Sequence, residues 1–558
     1  MQNITVLLEN IYSEVMSASQ KVRLLNLIEE ARTKVSHTRK THWDESDVVL
    51  ITYGDQFKKN DTPALSNLDA FYNRYLKNYF NTIHILPFYP WSSDDGFSVI
   101  DYHRISPDCG DWTHIEALKQ SSNLMFDYVC NHISAKSDWF TGFLNKDAKY
   151  DDYFVAMDPN IDLSDVVRPR TSPLLTPFTC VDGEVKHIWT TFSADQIDLN
   201  FANPEVLISM VDVLLHYLQE GADYVRLDAV GYMWKEPGTN CIHLEKTHQL
   251  VKLMRAIADE VAPGTVLITE TNVPHKDNIS YFGNGQDEAQ MVYQFPLPPL
   301  VLHAVHAGNA NALSQWAHSL GNRDGHTTYF NFLASHDGIG MNPLRGLISE
   351  QEILAMIASL EKEGALVSYK NNADGSVSPY EINVTYMDAL NKKNDDDSLR
   401  LQRFMLAHSI LLAFPGVPAV YIQSILGSRN DYAGVETAGY NRAINRHKFM
   451  LDEIMTELEQ EDALRAKVYT QLGELIKLRR TRPEFHPDSR MDVEFIGEGV
   501  FCFSRVTENN EKIICLFNVT NEEQLVKAFN GQCYTDLITQ NEVADNIRLQ
   551  PYQYMWLY

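Results

Sequence analysis

Gly221-Ala222-Asp223-Tyr224-Val225-Arg226-Leu227-Asp228-Ala229-Val230 reads as a short buried strand. Side chains alternate along a strand, so Tyr224, Arg226 and Asp228 face one way and Val225, Leu227 and Ala229 the other. An Arg and an Asp on the same enclosed side are costly unless they pair or carry out chemistry. Taken alone, the stretch fits a structural ion pair. Two further acids at strand ends, Glu270 and Asp337, favour chemistry.

Working outward, similar apolar runs occur at 48–53, 83–88, 124–129, 266–269, 291–294, 329–333 and 419–422. Helical spacing fills most of the intervals, for example 204–220, 244–261 and 399–413. Strands alternating with helices are parallel, and eight of them indicate an α/β chain folded as a closed (β/α)8 TIM barrel. Ahead of the barrel, 1–40 reads as a helical segment of two helices joined near Ser17–Ser19. The barrel then runs from 41 to 132 and resumes from 200 to 485. Its interruption, 133–199 after the third strand, is too long for a simple loop and reads as an inserted subdomain. Residues 340–385 after the seventh strand form an extended loop region on the acceptor side, with a polar turn at 370–375. Near 490 the pattern changes to period two, so 486–558 is expected to be an antiparallel β domain.

With 558 residues, 44% apolar and 22% charged, the chain is expected to be a globular protein with one large domain and satellites. The net charge of −27 argues against nucleic acid or an anionic membrane as a general partner, and requires any anionic substrate to find a locally basic pocket. The seven cysteines are scattered, with no CxxC pair, which argues against a disulfide framework or a zinc site. No secretory signal or 18-residue apolar run is visible, so a cytoplasmic location is expected.

In a barrel, Asp228, Glu270 and Asp337 converge at one mouth. Acetal cleavage uses two such carboxylates, one as nucleophile and one as proton donor; a third can support the cation developing at the anomeric carbon. Asp94-Asp95-Gly96-Phe97, Asn131-His132 and His336 lie around them. Each is weak alone, since an Asp-Gly pair is usually a turn and a buried His usually structural.

The ordered series Asp127-Tyr128-Val129-Cys130-Asn131-His132, Gln196-Ile197-Asp198-Leu199-Asn200, Arg226-Leu227-Asp228-Ala229, Glu270-Thr271-Asn272 and Ser335-His336-Asp337 resembles the α-amylase superfamily, glycoside hydrolase family 13, from about residue 41 to the C-terminus. The typical hydrolase follows its nucleophile strand with Lys-His. Here Ala229-Val230-Gly231-Tyr232 follows instead, and this, with Phe97, Ile100-Asp101-Tyr102, His336-Asp337-Gly338-Ile339-Gly340 and Ile444-Asn445-Arg446-His447, is similar to the sucrose phosphorylase branch.

That resemblance implies a retaining glycoside phosphorylase working by double displacement. Asp228 would be the nucleophile, held ionised by Arg226, Glu270 the acid/base, and Asp337 the third acid. Asp94, Phe97, His132, His336 and Arg446 would form the glucose subsite. Tyr380 and Glu381 match an acceptor-loop position where Gln is expected in place of Glu381. The acceptor is expected to be D-glycerate, with fructose, fructose 6-phosphate or glycerol as alternatives, and a hydrolase or a non-catalytic sugar-binding module as rival readings. Phosphate and glycerate are anions, so Arg168, Arg170, Lys235, His275 and Lys276 are candidate ligands for them, with Glu381 turned away or paired with one of these. Asn131 takes the place where many relatives bind calcium; the phosphorylase branch usually lacks the ion, so no metal and no cofactor beyond co-substrate phosphate is expected.

Overall fold

A computed structural model describes residues 1–36, 43–323, 325–372, 374–527, 531–544 and 546–558. The expected boundary at 40/41 and Ala373 of the polar turn lie outside the described residues. Eight parallel strands close into a barrel in chain order: Val49–Thr52, Thr82–Ile85, Asn123–Tyr128, Tyr224–Leu227, Val266–Thr269, Met291–Tyr293, Thr328–Asn331 and Val417–Tyr421, the eighth pairing with the first. The α/β barrel expected from the apolar runs is therefore present. Its strands are buried on both faces, inside by layered side chains and outside by helices, which is why they read as continuous apolar runs.

The helix Pro204–Gln219 shows how the outer ring is set. Asn203 caps it by accepting from the Glu205 N–H, Pro204 occupies the first turn, and Val206, Leu207, Met210, Val211, Leu214 and Leu218 are buried. Two N-terminal helices add to this ring. Gln2–Tyr12 packs on Glu245–Val261, and Ala18–Lys34, started by a Ser17–Gln20 capping box, packs on Pro204–Gln219.

The insertion after the third strand contains a three-stranded antiparallel sheet, Ala156–Met157, Val185–Trp189 and Leu175–Thr179. It returns to the barrel through pairing of His132–Ser134 with Gln196–Asp198. After the seventh strand, the hairpin of Leu366–Asn371 and Val377–Asn383 pairs with Ile339–Gly340, which places Glu381 opposite Gly340, three residues beyond Asp337. Near the C-terminus, Arg490–Val493, Val500–Val506, Lys512–Asn518 and Tyr554–Leu557 form an antiparallel sheet. Phe501, Phe503 and Phe517 pack on the main core, while Val500, Cys502, Ile514 and Leu516 form a second small core, so the period-two pattern records a sheet buried on both faces. All seven cysteines are free. Among the described residues no helix is long and apolar enough to cross a membrane.

Candidate active site

Register builds the floor of the site. Arg226 lies directly across from Asp127 on the neighbouring strand, and both face the barrel interior. The Arg226 Nη1 pairs with Asp127 and donates to Asp228 Oδ1 at 2.7 Å; its Nε donates to the Tyr293 hydroxyl at 3.0 Å. Asp127 in turn bonds His84 Nε2 at 2.6 Å. A fully buried guanidinium is thus satisfied by two carboxylates and a phenol, and one of those carboxylates is offered upward to the pocket.

The fourth strand ends at Leu227; Asp228 follows it, and Ala229 then adopts left-handed φ/ψ (φ 48°). A non-glycine residue pays on the order of 1–2 kcal/mol for that conformation. Here it turns the Ala229 N–H toward Glu270, whose Oε2 accepts at 3.2 Å. Burial pushes Glu270 up to about 7, and the negative charges of Asp228 and Asp337 act in the same direction against Arg226. Burial pushes Asp228 upward too. The pair therefore holds one proton near neutrality. Arg226 bonds Asp228 directly but stands 3.8 Å from Glu270, an arrangement that favours the charge on Asp228 and the proton on Glu270.

Asp337 behaves oppositely. Burial alone would raise it, but Arg442, with Arg226 and Arg446, holds it well below the usual carboxylate range. Arg442 Nη1 sits 2.7 Å from Asp337 Oδ1, and the same guanidinium grips Glu381 through Nε (2.8 Å) and Nη2 (3.1 Å). His336 is stacked on Phe97 with centroids 4.6 Å apart and planes 3° apart; burial lowers it to about 3, so it is neutral, and its Nδ1 has no partner among the described residues. His132 Nε2 donates to the Phe97 carbonyl at 2.9 Å. Asp94 enters the pocket from a left-handed turn (φ 52°) that Gly96 makes possible: at φ 110° a Cβ there would stand 2.6 Å from the Pro87 carbonyl oxygen.

The pocket encloses about 1080 Å³ with its mouth, near the upper end of the roughly 300–1,000 Å³ usual for small-molecule sites. Asp228, Glu270, Asp337, Asp94, Phe97, His132, His336, Tyr380, Glu381 and Arg170 all line it. Arg226 lies beneath Asp228. Arg446 stands behind the wall, bonding Asp94 Oδ1 (3.3 Å) and the His336 carbonyl (2.9 Å), so it orients two pocket residues rather than reaching into the pocket.

Three other expectations are corrected. Glu381 is paired, but with Arg442 and not with any of the cations considered for it. Lys235 is buried, its Nζ 2.8 Å from both Asn131 Oδ1 and Asp198 Oδ2, and so is not available to an acceptor. Arg168, His275 and Lys276 do not line this pocket: Arg168 borders an adjoining groove, His275 lies near Trp316 and Tyr329, and Lys276 is exposed. Arg170 does line it, its guanidinium 5.4 Å from the Phe192 ring centre and 5.1 Å from that of Tyr380, with no ion-pair partner among the described residues. Arg442 went unnoticed in the sequence, where it falls just before the Ile444–His447 motif without periodic or spacing signal.

Removing Arg442 leaves two buried carboxylates without their cation. Arg442→Met is expected to cost about 3–5 kcal/mol of stability. It should also raise the pKa of Asp337, so the acid limb of the pH–rate profile moves to higher pH. The double variant Arg442→Met/Glu381→Met should recover part of the melting temperature but not the acid limb. Thermal melts and pH profiles check both; an unmoved acid limb in Arg442→Met would separate Arg442 from Asp337.

The sequence matches the family described as "Alpha amylase, catalytic domain" over residues 52–375. The chain belongs to the alpha-amylase family. Within the alpha-amylase family, "Glucosylglycerate phosphorylase" of Escherichia coli (strain K12) is 57% identical over 559 residues, covering 100% of both chains. A protein of the same name from Allomeiothermus silvanus is 46% identical over 528 residues, 93% of this chain and 92% of that one. Among solved structures, sucrose 6F-phosphate phosphorylase from Thermoanaerobacter thermosaccharolyticum matches with a TM-score of 0.75 at 26% identity, covering 92% of this chain and 99% of that one. The superfamily resemblance of the strand-end motifs is thereby borne out.

Proposed function

We propose that this alpha-amylase family chain is a glucosylglycerate phosphorylase. It reversibly cleaves 2-O-α-D-glucosyl-D-glycerate with phosphate to α-D-glucose 1-phosphate and D-glycerate. The observation that carries the chemistry is the geometry of the carboxyl pair: Asp228 anchored on Arg226 at 2.7 Å, Glu270 beside it on the Ala229 N–H and 3.8 Å from the same guanidinium, which favours the ionised form at Asp228 and the proton on Glu270. Asp228 attacks the anomeric carbon as Glu270 protonates the departing glycerate oxygen, giving a covalent glucosyl ester. Phosphate then attacks from the vacated side while Glu270 takes its proton. Two inversions retain the α configuration. Asp337, kept ionised by Arg442, faces the developing oxocarbenium charge. Asp94, His132 and His336 hold glucose hydroxyls, with Phe97 as the wall beneath.

No step runs through a metal. Calcium takes about 6–8 oxygen ligands at roughly 2.3–2.6 Å; Asn131 and Asp198 instead hold the Lys235 ammonium, which supplies a positive charge at that place. The residues present do not fit a divalent ion.

Acceptor choice is assigned to Arg170, a pocket cation with no ion-pair partner among the described residues. Glucose 1-phosphate supplied with glycerate should release phosphate, and with glycerol or fructose far less. Arg170→Gln is expected to lose roughly 10- to 100-fold in kcat/KM toward glycerate, the worth of a charged hydrogen bond, and much less toward neutral glycerol. A wild type that prefers fructose or glycerol defeats the acceptor assignment while leaving the phosphorylase mechanism standing.

A further inference from the structure

Tyr232, Asn272 and Tyr380 line the catalytic pocket and also the inner wall of a second, outer groove. Three cations border that groove: Arg168 from the inserted subdomain, Arg345 from the segment after the seventh strand, and Lys370 from the hairpin. None of the three forms an ion pair among the described residues. Among the described residues their one side-chain hydrogen bond goes from Arg168 to the Ser172 carbonyl, at 2.5 Å. The two insertions meet here, since Asn371 Nδ2 donates to the Thr171 carbonyl at 3.3 Å. Lys370 is half-buried, and its ammonium is disfavoured first by burial and then by the neighbouring charge of Arg345. Glu245 and Asp277 also border the groove, but the Asp277 charge falls on His243 and not on Lys370.

The half-buried Lys370 beside the exposed Arg345, with no counter-ion among the described residues, raises the energy of the free protein, and an anion placed between them relieves it. The site next door consumes two anions, a glucosylated carboxylate and phosphate, and releases two, glucose 1-phosphate and glycerate, in a chain whose net charge of −27 repels them all. A cluster of cations at a cleft focuses field lines locally and raises the concentration of oppositely charged ligand there. We infer that the groove is an outer oxyanion site, binding phosphate or a small carboxylate and delivering it across the Tyr232–Tyr380 wall to the catalytic pocket. Its role in delivery rests on the phosphorylase reading; its affinity for oxyanions does not.

The test uses the full chain with Lys370→Gln, Arg345→Gln and the double variant, none of which removes a residue of the catalytic pocket. Inorganic phosphate titrated calorimetrically should bind the double variant more weakly than the wild type. In kinetics, kcat/KM for phosphate and for glycerate should fall about tenfold at low ionic strength, as a rise in KM, and the deficit should close as salt screens the field. Transfer to neutral glycerol should fall far less. Equal losses toward glycerate and glycerol mean that these residues only shape the mouth, and overturn the proposal; so does a deficit indifferent to salt, or no deficit. If phosphate binding weakens in the variants but the wild type does not use glycerate, the acceptor assignment fails and the groove stands. If glycerate is used normally by all variants, the groove fails and the function stands.

Discussion

Asp228→Asn is expected to lower turnover by on the order of 10⁴- to 10⁶-fold, the range seen when a nucleophile acting as part of a catalytic unit is removed. No other carboxylate can replace it. Asp127, the nearest on the same floor, is fully buried and held between Arg226 and His84. The fold should survive, because Asn keeps the shape and can still accept from Arg226 through its carbonyl. Melting temperature and circular dichroism check the fold, while release of glucose 1-phosphate from glucosylglycerate checks turnover. The anomer matters as much as the rate: wild-type product must be the α-phosphate. A β-phosphate, or a folded Asp228→Asn protein turning over normally, contradicts a covalent intermediate on this residue.

Glu270→Gln should separate substrates by leaving group. Glycerate leaves as an alkoxide unless its oxygen is protonated, so its loss depends on the proton that burial and the neighbouring carboxylates keep on Glu270 up to about pH 7. General-acid assistance is worth typically 10²–10⁴-fold, roughly the loss expected with glucosylglycerate. α-Glucosyl fluoride needs little protonation, and its first displacement should be nearly spared. The wild type should show the same split in pH dependence. As pH rises through about 7, Glu270 loses its proton and phosphorolysis of glucosylglycerate falls, whereas ester formation from the fluoride keeps its rate. Equal damage to both donors in Glu270→Gln would remove this residue from the proton-donor role.

Asp228 and Glu270 were legible because each directly follows the end of a strand, whereas Asp337 lies six residues past the end of the seventh. An apolar run ending in a charged residue marks a boundary between core and mouth, and the strand ends of a barrel, with the loops that follow them, open onto one face. Arg226 was legible for a related reason: alternation puts it on the side of Asp228, two residues away. The partners of these residues were less so. Glu381 and Arg442 are 61 residues apart and belong to different loops, and only the pairing of Ile339–Gly340 with the hairpin strand brings Glu381 to the pocket wall.

Lys235 shows the same limit from the other direction. Beside Glu236, Pro237 and Gly238 it reads as a loop cation free to meet an anionic substrate. Asp198, from the far end of the inserted subdomain, captures it instead and buries it. Arg168 and Arg170 are equivalent in the Arg-Pro-Arg turn, yet one borders the outer groove and the other lies over Tyr380 in the pocket. From the residues alone came the barrel, the order of its strands and the carboxylates at its mouth, because strand period and strand ends are local properties of the chain. Which cation each carboxylate holds, and which cations are left for an incoming anion, depended on contacts between distant insertions. A buried charge takes its energy from whatever the fold sets within a few ångströms, and that neighbourhood is not written in adjacent residues.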